Sequence, residues 1–241
     1  MRLETDLEKV KEVSRILLMT DVHLTEFSPM IVQHPFTQSG IVGMQTKEGT
    51  YLIDITESRE NLSKWQKFVS QQIDAMETVN GIYMMVNKPY ALTFLRYVAP
   101  HLSKSDYSTI LADAWIRSEN PNRDANVSRQ KLVSMFKDAD PTVLMDADEL
   151  KEYRGLPDRV TIYRGVTSYN GKNIKALSWS LDYDKAAWFA HRFGEEGTVY
   201  EAQIAQPHVL AYFGRRNEAE VIVDPRYLEG IQEVPEMGMS L

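Results

Sequence analysis

The chain of 241 residues contains no cysteine, and its five histidines are scattered along the sequence. The lack of cysteine excludes disulfides, thiol nucleophiles and thiolate metal sites. Since no HExxH-type pair of histidines occurs either, we expect no metal site. No run approaches ~18 apolar residues, so we expect no membrane-spanning helix. Residues 1–10 are charged rather than apolar and do not form a signal segment, which favours a cytoplasmic protein.

Neither sign of charge is in large excess. The chain carries 34 acidic and 27 basic residues, for a formal net charge of −7. A mildly acidic protein has no general attraction for nucleic acid or for an anionic membrane; we expect no membrane partner, and nucleic-acid binding would need a local basic patch. With 43% hydrophobic residues, the composition is that of an ordinary soluble protein with a sizeable core. The length allows one large domain or two small ones.

Residues 1–150 have the pattern of a mainly helical region with a small β-meander. Apolar residues recur at helical spacing in residues 5–18, 62–76, 90–101, 105–118, 126–137 and 145–154. Three β-like segments are expected to pair as antiparallel strands, residues 31–32, 41–44 and 51–55. No catalytic motif occurs in this region, so we predict that it supports or regulates the region that follows.

Residues 151–241 have the pattern of a β-rich domain. Strands are predicted at residues 160–166, 176–181, 199–204, 209–213 and 218–223. Asp182 is the predicted N-cap of a helix whose packing surface includes Phe189. Residues 214–217 form a polar turn before the last strand. We therefore predict an α+β protein in which a helical region, residues 1–150, precedes a β-sheet domain, residues 151–241.

The first strand of this domain carries an arginine among aliphatic residues. Because side chains alternate along a strand, Arg164 shares one face with Val160, Ile162 and Val166. Such an arginine either pairs with a carboxylate as a structural residue or points into a cleft to hold an anion. The strand alone does not decide between these two roles.

The second strand has one small, hydroxylated face and one large, apolar face. Ser178 and Ser180 point to one side, and Leu177, Trp179 and Leu181 point to the other. This pattern suits a strand that is anchored in the core on one side and lines a pocket on the other.

The last strand begins with two glutamates, Glu218 and Glu220, which are expected to share a face with Ile222. Carboxylates two residues apart lie about 6–7 Å apart along a strand. Such a pair raises the pKa of each carboxyl unless a cation or hydrogen-bond donors intervene. Glu-x-Glu is common on solvated strands, but its place beside an apolar run and in one segment with Arg164 and Ser178 indicates the end of a cleft.

Three short motifs follow one another along residues 157–228: Tyr163-Arg164-Gly165, Ser178-Trp179-Ser180 and Glu218-Ala219-Glu220. Their order and spacing resemble those of the mono-ADP-ribosyltransferases. They match the clade with an arginine, a serine and a glutamate as signature, which includes cholera-type and binary toxins and small phage-borne transferases. The common toxin form has Ser-Thr-Ser as the middle motif. Here Trp179 departs from that form, but it falls on the apolar side and leaves both hydroxyls in place.

The resemblance implies a split, mainly antiparallel sheet of six to seven strands, with NAD as the substrate. Arg164 would hold the NAD phosphates and ribose, and Gly165 would let the backbone approach the nicotinamide amide. Ser178 would fix the Glu220 rotamer by a hydrogen bond. Glu220 would bind the ribose 2′-hydroxyl and stabilise an oxocarbenium-like transition state. Glu218 would position and deprotonate the acceptor, which the presence of both glutamates implies to be arginine.

The same resemblance places Tyr163, Ser180 and Phe189 with the NAD-binding residues. It also implies that the segment 212–217 faces a target protein. A nucleic-acid target is less favoured, because the pair Arg215-Arg216 is too small a basic patch.

The sequence leaves three functions open, and it does not tell a toxin from a counter-defence or regulatory protein. The first is an NAD-dependent ADP-ribosyltransferase that modifies a protein at arginine. The second is an NAD glycohydrolase on the same fold, with water as the acceptor. The third is a non-catalytic protein-binding module, against which the joint presence of Arg164, Ser178 and Glu220 argues.

Overall fold

The structure is a computed structural model that describes residues 2–46, 49–118, 126–168, 170–194 and 196–234. Its helices and antiparallel sheets make the chain an α+β protein, as predicted. The chain divides into two units, residues 1–127 and 128–241. The division therefore lies earlier than the boundary predicted at residue 150.

The described part of the first unit contains five α-helices. They are α1 (Leu7–Leu18), α2 (Arg59–Ala75), α3 (Val79–Met84), α4 (Ala91–Val98) and α5 (Lys104–Arg117). All but α3 match segments predicted from helical spacing. Helix α3 was missed because its six residues are too short for a repeating pattern.

The β-structure of the first unit consists of two separate sheets rather than one meander. The strands are β1 (His23–Leu24), β2 (Ile31–His34), β3 (Thr37–Ser39), β4 (Ile41–Thr46) and β5 (Gly49–Asp54). The first three form an antiparallel sheet, and the last two form a hairpin. Gly40 lies between the sheets and bonds to both sides: its N–H donates to the Met30 carbonyl and its carbonyl accepts from the Ile55 N–H, each at 2.8 Å. The prediction of one continuous meander is therefore wrong.

The described part of the second unit contains four α-helices and a sheet of six strands. The helices are α6 (Arg129–Asp138), α7 (Pro141–Leu144), α8 (Ala147–Arg154) and α9 (Tyr183–Ala190). The strands are β6 (Arg159–Val166), β7 (Ser178–Ser180), β8 (Thr198–Ala205), β9 (Val209–Phe213), β10 (Glu220–Val223) and β11 (Glu229–Val234). Their order is β11-β8-β6-β7-β10-β9, and every neighbouring pair is antiparallel. In neither unit does a described helix have the length and apolar character needed to cross a membrane.

Helices α6 and α8 pack on strand β9, which is why they belong to the second unit. Phe136 of α6 lies against Phe213, with ring centroids 6.4 Å apart. Tyr153 of α8 donates a hydrogen bond to the Val209 carbonyl at 3.1 Å. The boundary predicted at residue 150 is therefore wrong. Amphipathic spacing shows that a helix is packed, but it does not show on which element.

The two faces of the six-stranded sheet are covered differently. One face carries the main apolar core of the unit, which includes Val160, Ile162 and Trp179. Trp179 is 2% exposed, so the prediction that it falls on the apolar side of its strand is confirmed. Helix α9 packs on the opposite face, where Ala186 and Ala190 are buried. Asp182 caps this helix as predicted, by accepting from the backbone N–H groups of its first turn.

His34 on β2 is fully buried and is held as a neutral ring. Its Nδ1 accepts a hydrogen bond from the Phe36 backbone N–H at 3.1 Å, so this nitrogen carries no proton. Its Nε2 donates to the Leu18 carbonyl at 3.2 Å. Trp65 packs edge-on against the ring, with centroids 5.0 Å apart. Burial lowers the pKa of His34 from an ordinary 6.5 to about 4.

We expect the first unit to lose stability as the pH falls from about 6.5 towards 4. In this range the unfolded chain takes up a proton on His34 and the folded unit does not, so protonation favours unfolding. Above the unfolded pKa the full stability is present. His34→Gln cannot titrate and should flatten the profile in this range. Urea unfolding at several pH values across it measures both proteins, and equal slopes would contradict the assignment.

Candidate active site

The three sequence motifs lie at three strands that are adjacent in the sheet, β6, β7 and β10. Tyr163 lies opposite Ser180, and Ser180 lies opposite Glu220. Glu220 in turn lies opposite Phe213 of β9. Directly opposed residues on neighbouring strands point to the same face, so these four side chains form one row across the sheet. The structure therefore brings the three motifs together.

Two helices flank this row on the same face. Helix α9 covers Gly165 of β6, whose missing Cβ would lie 2.1 Å from a carbonyl oxygen of the helix. Helix α6 covers Phe213 of β9 through an aromatic contact. Between the two helices, β7 and β10 present Ser178, Ser180 and Glu220. These three polar residues thus occupy the strip of sheet that separates the helices.

Ser178 and Glu220 are joined by a hydrogen bond from β7 to β10. Ser178 Oγ donates to Glu220 Oε1 at 2.5 Å, and both side chains are partly buried. The register sets this contact, because Ser178 lies opposite Ile222 and is therefore diagonal to Glu220 on the same face. The hydrogen bond predicted between these side chains is present. It fixes the direction in which the Glu220 carboxylate points.

Arg164 reaches Ser178 from the other face of the sheet. It lies opposite Tyr200, on the side of the main core. Its Nη1 nevertheless donates to the Ser178 carbonyl oxygen at 2.5 Å. Backbone carbonyls lie in the plane of a sheet, so a side chain on either face can reach one where neighbouring strands are not paired. Among the described residues, β6 and β7 are paired only at Tyr163–Ser180. The Arg164 guanidinium therefore lies at the gap where these two strands part.

Glu218 lies in a turn before β10 and not on the strand, which corrects the strand start predicted at residue 218. Asn217 and Ala219 have positive φ values of 56° and 45°, a conformation outside the β region. The alternation of side chains is therefore broken between Glu218 and Glu220. The prediction that both glutamates share a face with Ile222 is correct for Glu220 alone.

Ser180 holds this turn in place. Its Oγ donates to the Glu218 carbonyl oxygen at 2.8 Å and accepts from the Asp182 backbone N–H at 3.0 Å. The Leu181 N–H also donates to the Ala219 carbonyl at 2.9 Å. Ser180 is 6% exposed, and both of these hydroxyl contacts are with backbone groups. The structure thus gives Ser180 a role in positioning the turn, where the resemblance implied contact with NAD.

The Glu218 carboxylate forms an ion pair with Arg216 in the same turn. The distance between Arg216 Nε and Glu218 Oε1 is 3.0 Å, and the two side chains are 43% and 21% exposed. The Arg216 guanidinium is therefore a cation that can offset the repulsion expected between the carboxylates of Glu218 and Glu220.

Arg215 binds a buried carboxylate, that of Glu149 on α8. Its Nε and Nη2 donate to Glu149 Oε2 at 3.0 and 2.8 Å. Glu149 Oε1 also accepts from the Gly214 backbone N–H at 3.0 Å. Glu149 is 3% exposed, whereas the Arg215 side chain is 38% exposed, so only the carboxylate of this pair is buried. Arg215 therefore clamps the turn to helix α8.

Only part of the segment 212–217 lies at the surface, and its contact with a target protein stays a prediction. Tyr212 and Phe213 belong to strand β9, and Phe213 is 3% exposed. Both arginines of the turn are exposed: the Arg215 side chain, bound to Glu149, at 38% and the Arg216 side chain at 43%. The predicted turn at residues 214–217 is itself present.

Tyr163 and Phe189 take part in aromatic contacts. Tyr163 packs edge-on against Tyr183, with ring centroids 5.7 Å apart. Burial and the neighbouring Glu201 raise the pKa of the Tyr163 phenol. Phe189 on α9 packs against Trp188, with ring centroids 5.0 Å apart. A role for Tyr163 and Phe189 in binding NAD stays a prediction.

Gly165 is required by the packing of α9 on β6. A Cβ at this position would lie 2.1 Å from the Ala186 carbonyl oxygen and 2.5 Å from the Ala190 nitrogen. Both are backbone atoms, which can move aside only if the helix moves. The structure thus supplies a packing reason for glycine here, separate from the approach to nicotinamide that the resemblance implies.

Glu149 is the residue of the site that the sequence reasoning missed. It belongs to a capping box of α8, in which its side chain accepts from the Asp146 backbone N–H at 3.0 Å. That pattern marks the start of a helix. Nothing in it signals the second contact with Arg215, which lies 66 residues away in the sequence.

Comparison of the chain with protein-family models, with curated proteins and with solved structures finds no match. In the part of the chain that the structure describes, no three histidine, aspartate or glutamate side chains are grouped to hold a metal ion. The geometry of the site is therefore the basis for assigning a function.

Gly165→Ala should destabilise the second unit by about 1–3 kcal/mol or more, because the new methyl group overlaps the backbone of α9. Gly171→Ala is the matched control, since its Cβ would lie 3.7 Å from Val166 Cγ1, an ordinary contact distance. Thermal unfolding of the parent and both variants measures the difference. A parent-like melting temperature for Gly165→Ala would show that α9 does not lie this close to β6.

Proposed function

We propose that the chain is an NAD-dependent mono-ADP-ribosyltransferase that moves ADP-ribose from NAD to an arginine of a protein and releases nicotinamide. The observation that carries the proposal is the chain of hydrogen bonds linking Arg164, Ser178 and Glu220. These residues were singled out by the order of their motifs alone, and they meet from three strands. A chance match of short motifs gives no reason for the three residues to be in contact.

The charges of the site suit the two parts of NAD that have to be held. A guanidinium such as that of Arg164 can donate paired hydrogen bonds to a pyrophosphate. The Glu220 carboxylate can accept from a ribose hydroxyl and face the positive charge that develops at the anomeric carbon as nicotinamide leaves. Ser178 lies between these groups and bonds to both, so cation and carboxylate are held at a set separation.

Glu218 supports arginine rather than water as the acceptor. Its carboxylate already binds a guanidinium, that of Arg216. In the proposed reaction Glu218 orients the incoming guanidinium and takes up the proton that it loses. Ser180 and Glu149 hold the backbone of the turn on either side of Arg216, and this backbone carries the Glu218 side chain.

The shape of the sheet is a second support for the proposal. The resemblance implies a split, mainly antiparallel sheet. Here the strands fall into two groups, β11-β8-β6 and β7-β10-β9, and among the described residues these groups share only the pair Tyr163–Ser180. We propose the ADP-ribosyltransferase fold for the second unit, and a supporting or regulatory role for the first.

Glu220→Gln should abolish both nicotinamide release and transfer, because an amide cannot stabilise the cation at the anomeric carbon. We expect a loss of at least about 10²–10³ in rate. Incubation with labelled NAD and a cell lysate, followed by mass spectrometry, measures both products. Glu233→Gln on the edge strand β11 is the control and should keep the parent activity. Full activity of Glu220→Gln would overturn the site assignment.

Glu218→Gln should abolish transfer while leaving part of the NAD hydrolysis, because water can reach the cation without a carboxylate to orient it. The ratio of labelled protein to free ADP-ribose is the quantity to measure. Equal loss of both activities would contradict separate roles for the two glutamates. If the parent protein releases only free ADP-ribose and labels no protein, the function is instead that of an NAD glycohydrolase.

A further inference from the structure

Trp188 on α9 is a large apolar side chain that lies on the surface of the second unit, where it is 59% exposed. The packing of the helix explains its direction. Ala186 and Ala190 face the sheet and are buried, and Trp188, midway between them in sequence, is turned to the opposite side of the helix. The contact between α9 and the sheet is thus made by small side chains, and the indole is displayed outward.

Two neighbours hold the Trp188 indole in place. Phe189 packs edge-on against it, with ring centroids 5.0 Å apart. Arg192 Cζ lies over the ring, 5.5 Å from its centroid. Side chains that are already ordered lose little conformational entropy when a partner binds. Tryptophan and arginine are also among the residue types most enriched at the energetically dominant positions of protein interfaces.

The charges beside Trp188 indicate the kind of partner. Asp184, Lys185 and Arg192 lie within about one helical turn of Trp188 and share its side of the helix. Two cations and one carboxylate give this side a positive excess, in a chain whose net charge is −7. A partner surface that carries carboxylates is therefore complementary to it.

We propose that the outer face of α9, defined by Lys185, Trp188 and Arg192, docks the acceptor protein of the proposed reaction. The fitting surface on that protein is an apolar pocket that takes the indole, with a carboxylate at its rim that binds the Arg192 guanidinium. This inference rests on the proposed function and names the surface that selects its protein substrate.

The outer face of α9 lies close enough to the candidate site for one partner to cover both. The Asp182 backbone N–H, at the start of α9, donates to Ser180 Oγ at 3.0 Å, and this hydroxyl donates to the Glu218 carbonyl. Trp188 follows Asp182 in the helix by about 9 Å along the axis. A protein interface covers about 800 Å² on each partner, a patch roughly 30 Å across. A protein docked on Trp188 therefore extends to the turn that carries Glu218.

Other partners fit this face less well. A nucleic-acid strand needs a series of cations along its phosphates, whereas here Asp184 accompanies two cations. A second copy of the chain, related by a two-fold axis, would bring Lys185 and Arg192 near their own counterparts. A protein surface with carboxylates avoids the repulsion that arises in both cases.

The test compares a protein acceptor with a small one. Trp188→Ser, which leaves the helix propensity nearly unchanged, is incubated with labelled NAD and either a cell lysate or agmatine, a small guanidine. We expect the labelling of lysate proteins to fall by about tenfold or more, as for a dominant interface residue. Transfer to agmatine should keep the parent rate, because agmatine has no surface to dock. Arg192→Glu should show the same split, because a carboxylate repels the acidic rim.

Tyr97→Ser is the matched control, because Tyr97 is also an exposed aromatic residue beneath an arginine. It is 47% exposed, and Arg96 Cζ lies 5.5 Å from the centroid of its ring. This variant should keep both activities. Parent-like transfer to agmatine also shows that the variants are folded.

Parent-like labelling of lysate proteins by Trp188→Ser would overturn this inference. Equal loss of both activities would do so too, since the indole would then serve the site or the fold. Lysate label that ribonuclease removes would identify a nucleic-acid acceptor, and a parent dimer that becomes a monomer in Trp188→Ser would identify a second copy. Either result contradicts a docked acceptor protein.

The activity of the parent separates this inference from the proposed function. A parent that labels agmatine but no lysate protein would contradict the docking surface and leave the transfer chemistry standing. If the parent neither releases nicotinamide nor labels agmatine or any protein, both proposals fail together.

Discussion

Ser178 holds the candidate site together through both of its polar groups. Its carbonyl accepts from Arg164, and its hydroxyl donates to Glu220. Ser180, on the same face, holds the turn that carries Glu218. One strand of three residues therefore sets the positions of a cation and two carboxylates. Trp179 anchors this strand: it is buried on the opposite face, and a shift of one residue in register would turn its indole out of the core and turn both serines into it.

The strands that the sequence predicted best are those with buried apolar residues. Strand β9 was predicted with the bounds that the structure has, and β6 and β8 differ by one residue at one or both ends. The alternation of side chains along β7 also predicted correctly that Trp179 lies in the core. Strand β11 was not assigned, because its residues are mostly exposed and carry no apolar alternation. Burial is thus what made the pattern readable.

The candidate site was predictable where it depends on strand pairing and unpredictable where it depends on a turn. The contact between Ser178 and Glu220 follows from two strands with a fixed alternation. Glu218 was predicted to lie on the strand, but it lies in a turn in which Ala219 has a positive φ. Alanine ordinarily avoids that conformation, so the sequence does not signal a turn there. The clamp between Arg215 and Glu149 was missed for a different reason. It joins a helix to a turn far along the chain, and no repeating sequence pattern connects the two segments.

The distance in sequence between Ser178 and Glu220 has a consequence for synthesis of the protein. The two residues are 42 positions apart, and β8 and β9 lie between them. As the chain is made from its N-terminus, the arginine and the serine emerge well before the strand that carries the glutamate. A nascent or truncated chain that ends before β10 therefore lacks the carboxylate on which the proposed chemistry depends. The cell that makes such a protein would encounter the proposed activity only in chains extended past residue 220.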